Sequence, residues 1–354
     1  MSTVEAAPQR GARSNILRWM RHRAGGLAPF AVLVVLVVVF GIAAPSTFLT
    51  VTNLRNILAQ VAVLAVVSTG ITMVLLLGEI DLSIAAMATL TGVIATMLYE
   101  GAQFPMGGFL LTMQLPMVPA VLVALIFALF LGFANGWIST RTGLPSFIVT
   151  LAMMQIADGL ALYWTKGSIK YNIPPILNTL GSGYAFKGPL GDGVPIIILV
   201  AVVVLLAGHL MLTRTRFGRY IYMTGGNREA AELSGLNTRS IVTIVFALAG
   251  LLAGLAGMLN VGRLGSAQAY GLSDMLLDSI AAVVLGGTSL FGGVGGIANT
   301  VVGLLIFGVI GNGLNLVQVD IYLKPWVRGM VLLIALIINV YALKLRPLSA
   351  EEVS

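Results

Sequence analysis

The chain of 354 residues is 58% hydrophobic and only 9% charged, with a mean hydropathy of +0.99, whereas soluble domains carry roughly a quarter charged residues. It reads as a membrane protein, and no stretch between its apolar runs has room for a large soluble domain. The absence of cysteine excludes disulfides, thiol catalysis and cysteine-ligated metals. The two histidines, His22 and His209, have no Cys, His or carboxylate at ligand spacing, so no metal or other cofactor is expected. The net charge of +7 is not gathered with exposed aromatics into a nucleic-acid footprint, and no nucleic-acid partner is expected.

A basic segment, 1–26, opens the chain. The apolar run after it, 27–44, is longer than the core of a secretory signal and reads as a retained first span. Further apolar segments of about the length a bilayer requires follow at 53–77, 82–98, 117–139, 145–164, 194–212, 240–260, 275–291, 296–316 and 326–343. The expectation is an all-α, polytopic membrane protein of about ten transmembrane helices in one domain, 27–343, ending in a tail, 344–354. Ten spans put both termini on one side. With that side cytoplasmic, 13 of the 20 basic residues fall inside, as the positive-inside rule favours.

Between the second and third segments, Gly78-Glu79-Ile80-Asp81-Leu82-Ser83 interrupts about fifty residues of otherwise apolar sequence. Two helices or one broken helix both fit, and broken helices are tolerated in membranes where protein or water satisfies the freed backbone. Gly286-Gly287-Thr288-Ser289-Leu290 can be laid over Gly78 to Leu82, a faint hint of two related halves.

The one extended cytoplasmic loop is 213–239, and it predicts a short helix with clear ends. Asn227 suits the N-cap, Glu229 falls in the first turn where a carboxylate complements the helix dipole, and Gly235 suits the C-terminal cap. Such a helix would run about two turns, near ~12 Å, too short to persist alone in water. It must therefore pack, either on its own spans or with its Ala230 and Ala231 surface in a groove of another protein.

Glu229-Ala230-Ala231, three further residues and Gly235 match the EAA loop of permease subunits of ATP-binding cassette (ABC) importers, and the run 225–237, GGNREAAELSGLN, resembles the ribose and xylose branch of that family. The resemblance continues in family order through 79–83 (EIDLS), 280–293 (IAAVVLGGTSLFGG) and 312–316 (NGLNL), and departs from it at Ile84-Ala85, where Val-Gly is usual, and at Glu79, where Gly is more frequent. It implies a second permease copy as partner and a cytoplasmic ABC ATPase subunit that docks on Asn227, Arg228, Glu229, Ala230, Ala231 and Gly235. It also implies a periplasmic sugar-binding protein that delivers a monosaccharide, and a location in the bacterial inner membrane. The permease itself would catalyse no bond chemistry. Consistent with that, the chain contains no GxxxxGK[ST] phosphate loop, so its energy comes from a partner or from an ion gradient.

Acidic groups in hydrocarbon cost at least ~2.5 kcal/mol on insertion scales. Glu79, Asp81, Asp158, Asp274 and Asp278 therefore each need a reason. Asp81 reads either as a cap on the helix that follows it or as part of a pathway or gate with Ser83; Glu79 reads as a solvated interface group or a gate residue. Asp158 and Asn135 have no evident basic partner. Asp278 either ties helices together or faces the pathway. Gln60, Asn299, Asn312 and Asn315 suit a neutral sugar's hydroxyls, and equally suit interhelical hydrogen bonds. Gly250-x-x-x-Gly254 and Gly292-x-x-x-Gly296 read as close helix contacts, within the chain or between two copies. The alternative function is an ion-coupled secondary transporter of a small polar solute, with Glu79, Asp81 and Asp158 as ion sites. A membrane-embedded enzyme would want clustered carboxylates for metal, and the acids here are dispersed.

Overall fold

The structure, a computed structural model, describes residues 29–337 apart from 107, 187–192, 271, 328, 331–332 and 335–336. The segment 1–26, the tail 344–354 and most of the expected last span lie outside the described residues. In chain order the helices are α1 (Pro29–Ala43), α2 (Val51–Leu76), α3 (Ile84–Glu100), α4 (Met117–Thr142), α5 (Ser146–Thr165), α6 (Pro175–Ser182), α7 (Ile196–Arg214), α8 (Arg216–Gly226), α9 (Arg228–Leu233), α10 (Thr238–Leu264), α11 (Ser273–Gly286) and α12 (Ile297–Leu316). Helical residues resume at Lys324. Two antiparallel pairs, β1 (Gln103–Met106) with β2 (Phe109–Thr112) and β3 (Tyr184–Ala185) with β4 (Val194–Pro195), close loops between helices.

Among the described residues six helices, α2, α4, α5, α7, α10 and α12, are long and apolar enough to cross a membrane, and α1 and α3 are shorter apolar helices. Helix ends follow the local chemistry. Thr50 caps α2 by accepting from Asn53 N–H, and α3 and α4 stop where Gly101 and Gly143 adopt left-handed conformations. The eighth apolar segment, expected to run helically over 275–291, stops at Gly286. The reason is glycine again: Gly287, Gly292, Gly293, Gly295 and Gly296 all take positive φ, a conformation no helix accommodates.

A helix that is apolar all round is either buried or surrounded by lipid, and burial separates the two cases. The apolar stretch of α2 is 83% buried and that of α7 only 22%. Thus α2, α3, α10 and α12 form the centre of the bundle, while α4, α5 and α7 present apolar faces outward. α10 is the hub, packing on α2, α3, α4 and α6; α12 packs on α2 and α11.

Small residues set the α4–α10 spacing. Ala120, Ala124, Ala128, Gly132 and Gly136 recur every fourth residue on the buried face of α4, and Gly250 and Gly254 answer them from α10. Without a hydrophobic drive between helices in lipid, such backbone approach supplies the dispersion contacts that hold them. The Gly250-x-x-x-Gly254 motif is therefore spent within the chain. Gly292-x-x-x-Gly296 is not a helix-packing motif at all, since it lies in the loop between α11 and α12. A β-carbon on Gly132 would stand 2.3 Å from the Phe246 carbonyl oxygen, a backbone atom that cannot step aside. Gly132→Val is expected to destabilise by about 1–3 kcal/mol, read as a lowered thermal midpoint of the detergent-purified protein, with the outward-facing Ile126→Leu unchanged.

Candidate functional site at the helix break

The segment 77–83 joins α2 to α3 without continuing either helix, and most of its backbone donors can be followed to partners. The N–H groups of Leu77 and Glu79 donate to the Val74 carbonyl, and that of Gly78 to Leu75. Ile80 N–H donates to Ser146 Oγ at 3.1 Å and Leu82 N–H to Thr150 Oγ1 at 3.0 Å, both hydroxyls carried by the first turn and a half of α5. Ser83 N–H donates to Asp81 Oδ1 at 2.8 Å. The break is stable because neighbouring side chains replace the missing helical acceptors.

Asp81 is buried but does not cap the helix: α3 begins at Ile84 with Ser83 as its N-cap and has no side-chain capping bond, and the Asp81 carboxylate instead closes a local turn on the Ser83 N–H. The Ser83 hydroxyl also donates to Asp81 Oδ1, at 2.6 Å, and accepts from Asn135 Nδ2 at 2.9 Å. Three of the residues singled out from the sequence, Asp81, Ser83 and Asn135, thus form one buried chain tying the break to α4. Asp81 Oδ2 and Asn135 Oδ1 are buried and accept no hydrogen bond.

Glu79 faces the other way, toward the face that carries α9. Its Oε1 lies 3.0 Å from Arg228 Nη1, with the Glu79 side chain mostly covered and that of Arg228 nearly half exposed. A partly solvated pair of this kind contributes only about 0–1 kcal/mol, so its consequence is orientation: it fixes the first residue of α9 to the break. Around it, Glu232, Arg239, Ser139, Thr140 and the turn at Gly143 line a cavity of about 350 Å³.

α9 forms where the sequence predicts a short helix. Asn227 Oδ1 accepts from Ala230 N–H at 2.9 Å, Glu229 sits in the first turn, and Gly235 follows with φ +83°. It is shorter than expected, six residues or ~9 Å at 1.5 Å per residue, because the Leu236 N–H already closes back on the Ala231 carbonyl. Of the two readings of the Ala230 and Ala231 surface, Ala231 follows the one that packs on its own chain: it is buried, while Ala230 and Leu233 are exposed, Leu233 by 85%. The preceding amphipathic helix, α8, is not anticipated from the sequence; the apolar spacing of Phe217, Tyr220, Ile221 and Thr224 is the signal that would reveal it.

The two glycine-rich interruptions meet beneath α8. Gly293 N–H donates to the Leu76 carbonyl at 2.9 Å. A β-carbon on Gly225 would lie 1.8 Å from Leu76 O, and one on Gly292 would lie 2.5 Å from Gly225 O. The end of α2, the end of α8 and the α11–α12 loop therefore touch backbone to backbone. Tyr222 pins the arrangement, its hydroxyl donating to the Gly295 carbonyl at 2.9 Å. Burial pushes the Tyr222 phenol upward, so it stays a neutral donor well above neutral pH. Phe291, on the same loop, is 93% exposed.

The remaining residues singled out from the sequence are not part of this junction. Asp158 lines a separate cavity of about 180 Å³ with Ala86, Thr89 and Met154. Asp278 lies at the opposite end of the bundle, and Asn312 is buried within α12. Ser146 and Thr150, which carry the break, escape sequence reasoning because each looks like an ordinary small polar residue of a membrane helix.

These features define a multi-pass membrane protein built around two helix interruptions that meet at one face. The chain belongs to the family described as branched-chain amino acid transport system / permease component, which matches residues 53–338. Among relatives, it is similar to the ribose import permease protein of Escherichia coli strain K12, 39% identical over 87% of this chain and 91% of that protein. It is also similar to the xylose transport system permease protein of the same strain, 31% identical over 86% of this chain and 89% of that one. A probable ABC transporter permease protein of that strain is 29% identical over 96% of this chain and 97% of its own length. No solved structure matches the chain.

The break makes a direct prediction. Thr150→Val keeps the shape of the side chain but leaves the Leu82 N–H without its acceptor. The expected loss is about 1–3 kcal/mol, measured as a lower thermal midpoint, whereas Thr142→Val, whose hydroxyl donates to the Ile138 carbonyl and accepts from the Leu144 N–H where water can replace it at the exposed end of α4, should shift it little.

Proposed function

We propose that this chain is the membrane-spanning permease subunit of a bacterial ABC importer that moves a monosaccharide, of the ribose or xylose kind, across the inner membrane. It works as one of two copies, 27–343 forming the permease domain with about ten spans and both termini cytoplasmic. ATPase subunits bind on the face that carries α9, and a periplasmic binding protein delivers sugar to the other. The observation that carries this reading is the helix α9, capped by Asn227 and Gly235 and fixed through Arg228 to Glu79 of the break, in a chain similar over most of its length to sugar permeases.

In this reading Asn227, Arg228, Glu229, Ala230 and Gly235 form the ATPase-coupling element, with Ala231 packing it from beneath and the exposed Leu233 and Phe291 extending the docking surface. Force applied to α9 reaches the ends of α2 and α8 and the α11–α12 loop as one body, because backbone touches backbone there and no flexible side chain intervenes. Glu79, Asp81, Ser83 and Asn135 act as the gate-side hinge, and Asp158, Asp278 and Asn312 face or border the pathway as the bundle alternates access. An ion-coupled mechanism would want carboxylates in series, but Asp81, Asp158 and Asp278 sit in three separate surroundings.

The test is uptake of radiolabelled ribose, xylose and galactose by the permease reconstituted with its ATPase and binding-protein partners. Uptake should require ATP hydrolysis and be indifferent to collapse of the proton gradient; sugar movement by this chain alone, driven by a proton gradient, overturns the reading. Within the working complex, Glu79→Arg should lower uptake at least tenfold, and the double exchange with Arg228→Glu should restore a large part of it.

A further inference from the structure

At the end of the bundle opposite α9, two adjoining cavities of about 480 and 240 Å³ share Gln60, Asp274, Asp278 and Gly311. Their walls come from α2, from the consecutive helices α10, α11 and α12, and from the segment around Ile321 to Pro325 that follows them. Gln60 is the tenth residue of α2, roughly 14 Å along the helix from its start, so the cleft reaches well into the apolar zone rather than skirting it. Asn260 and Arg263 enter from the last turn of α10, and Asp274 and Asp278 stand one turn apart on α11. Across the mouth, Lys324 Nζ donates to Asn315 Oδ1 at 2.7 Å and braces the rim.

The charges balance. Asp274 and Asp278 bring two negatives, Arg263 and Lys324 two positives, and the amides of Gln60 and Asn260 add donors and acceptors without charge. A lining of zero net charge selects against an ion. It suits a solute whose own groups are each donor and acceptor at once, which is the chemistry of adjacent hydroxyls. Leu277, Val61 and Met275 supply apolar wall for a ring's C–H face. The floor is kept open by Gly311, where an added β-carbon meets nothing within 4 Å.

We infer that this cleft is a binding station for a neutral polyhydroxylated ring, with Gln60, Asn260, Arg263, Asp274 and Asp278 as hydroxyl partners and Gly311 as the residue whose missing side chain makes room. The inference rests on the importer reading above and adds the place within this chain that holds the sugar. Nothing in the junction at α9 requires it, since that face is built for transmission.

The test uses the full complex and the chain's natural freedom from cysteine. Gly311→Cys should react with a membrane-impermeant thiol reagent from one side only, and the sugar that the complex transports should slow that reaction at least fivefold, whereas glycerol at equal concentration should not. Gly311→Leu, whose β-carbon meets no neighbour, reaches into the cleft and should lower uptake at least tenfold, while Gly159→Leu, at an equally open but outward-facing glycine of α5, should stay within twofold of the parent. Sugar transport with no protection of Gly311→Cys, or normal uptake by Gly311→Leu, overturns the station alone. A parent complex that moves no sugar under ATP overturns the importer reading and the station with it. If Gly311→Leu accumulates poorly in the membrane, the protection experiment decides by itself.

Discussion

Everything at the α9 face depends on one constraint: backbone amides released where a helix stops inside a membrane bundle must find acceptors, because lipid offers none. The chain meets it at 77–83 by borrowing. Two hydroxyls of α5 take the Ile80 and Leu82 N–H groups, and the Asp81 carboxylate takes that of Ser83. Each loan ties the break to another element, so the solution to a local hydrogen-bond problem also fixes where α3, α4 and α5 lie. An uninterrupted helix over the same residues would satisfy itself and would be attached to its neighbours only by packing.

The second constraint is steric and comes from glycine. Side chains damp motion by changing rotamer, whereas backbones in contact at Gly225 and Gly292 have no such freedom. The ends of α2 and α8 and the α11–α12 loop consequently form a joint that transmits displacement without absorbing it. The ion pair between Glu79 and Arg228 complements this joint rather than duplicating it. A half-exposed pair is weak and exchangeable with water, so it can orient α9 without locking it. A rigid seat with a soft catch is the combination a two-state element needs.

How much of this was legible in the sequence follows from the range over which each feature is determined. The Asn227 cap and the positive-φ glycine at position 235 are set by residues within one or two turns and appear where local chemistry puts them; six of the apolar runs form helices long enough to span among the described residues, while the run at 275–291 stops short at Gly286. Asp81 bonds the Ser83 N–H two residues on, a local turn rather than a cap on α3. Features that depend on residues far apart in the chain were not legible. Nothing near Glu79 announces Arg228, 149 residues away, and nothing near Asn135 announces Ser83. Glycine misled in both directions: the Gly292-x-x-x-Gly296 spacing imitates a helix contact while its backbone is a turn, and the outlook of Ala231 depends on what α9 packs against, which no local pattern encodes.

The two ends of the bundle solve opposite problems with similar residue types. At the α9 face, Asp81, Ser83 and Asn135 bond one another, leaving one oxygen of Asp81 and one of Asn135 without a donor, and the glycines are closed by backbone. At the far end, carboxylates, amides and an arginine border open space, and Gly311 faces a void instead of a neighbour. Polar groups at depth are expensive, and a bundle held together by small-residue seams has no structural need for a charge-balanced cleft. The cleft is therefore best understood through what could enter it, just as the α9 face is best understood through what it moves. Separating the transmitting end from the open end lets each be stabilised without compromising the other.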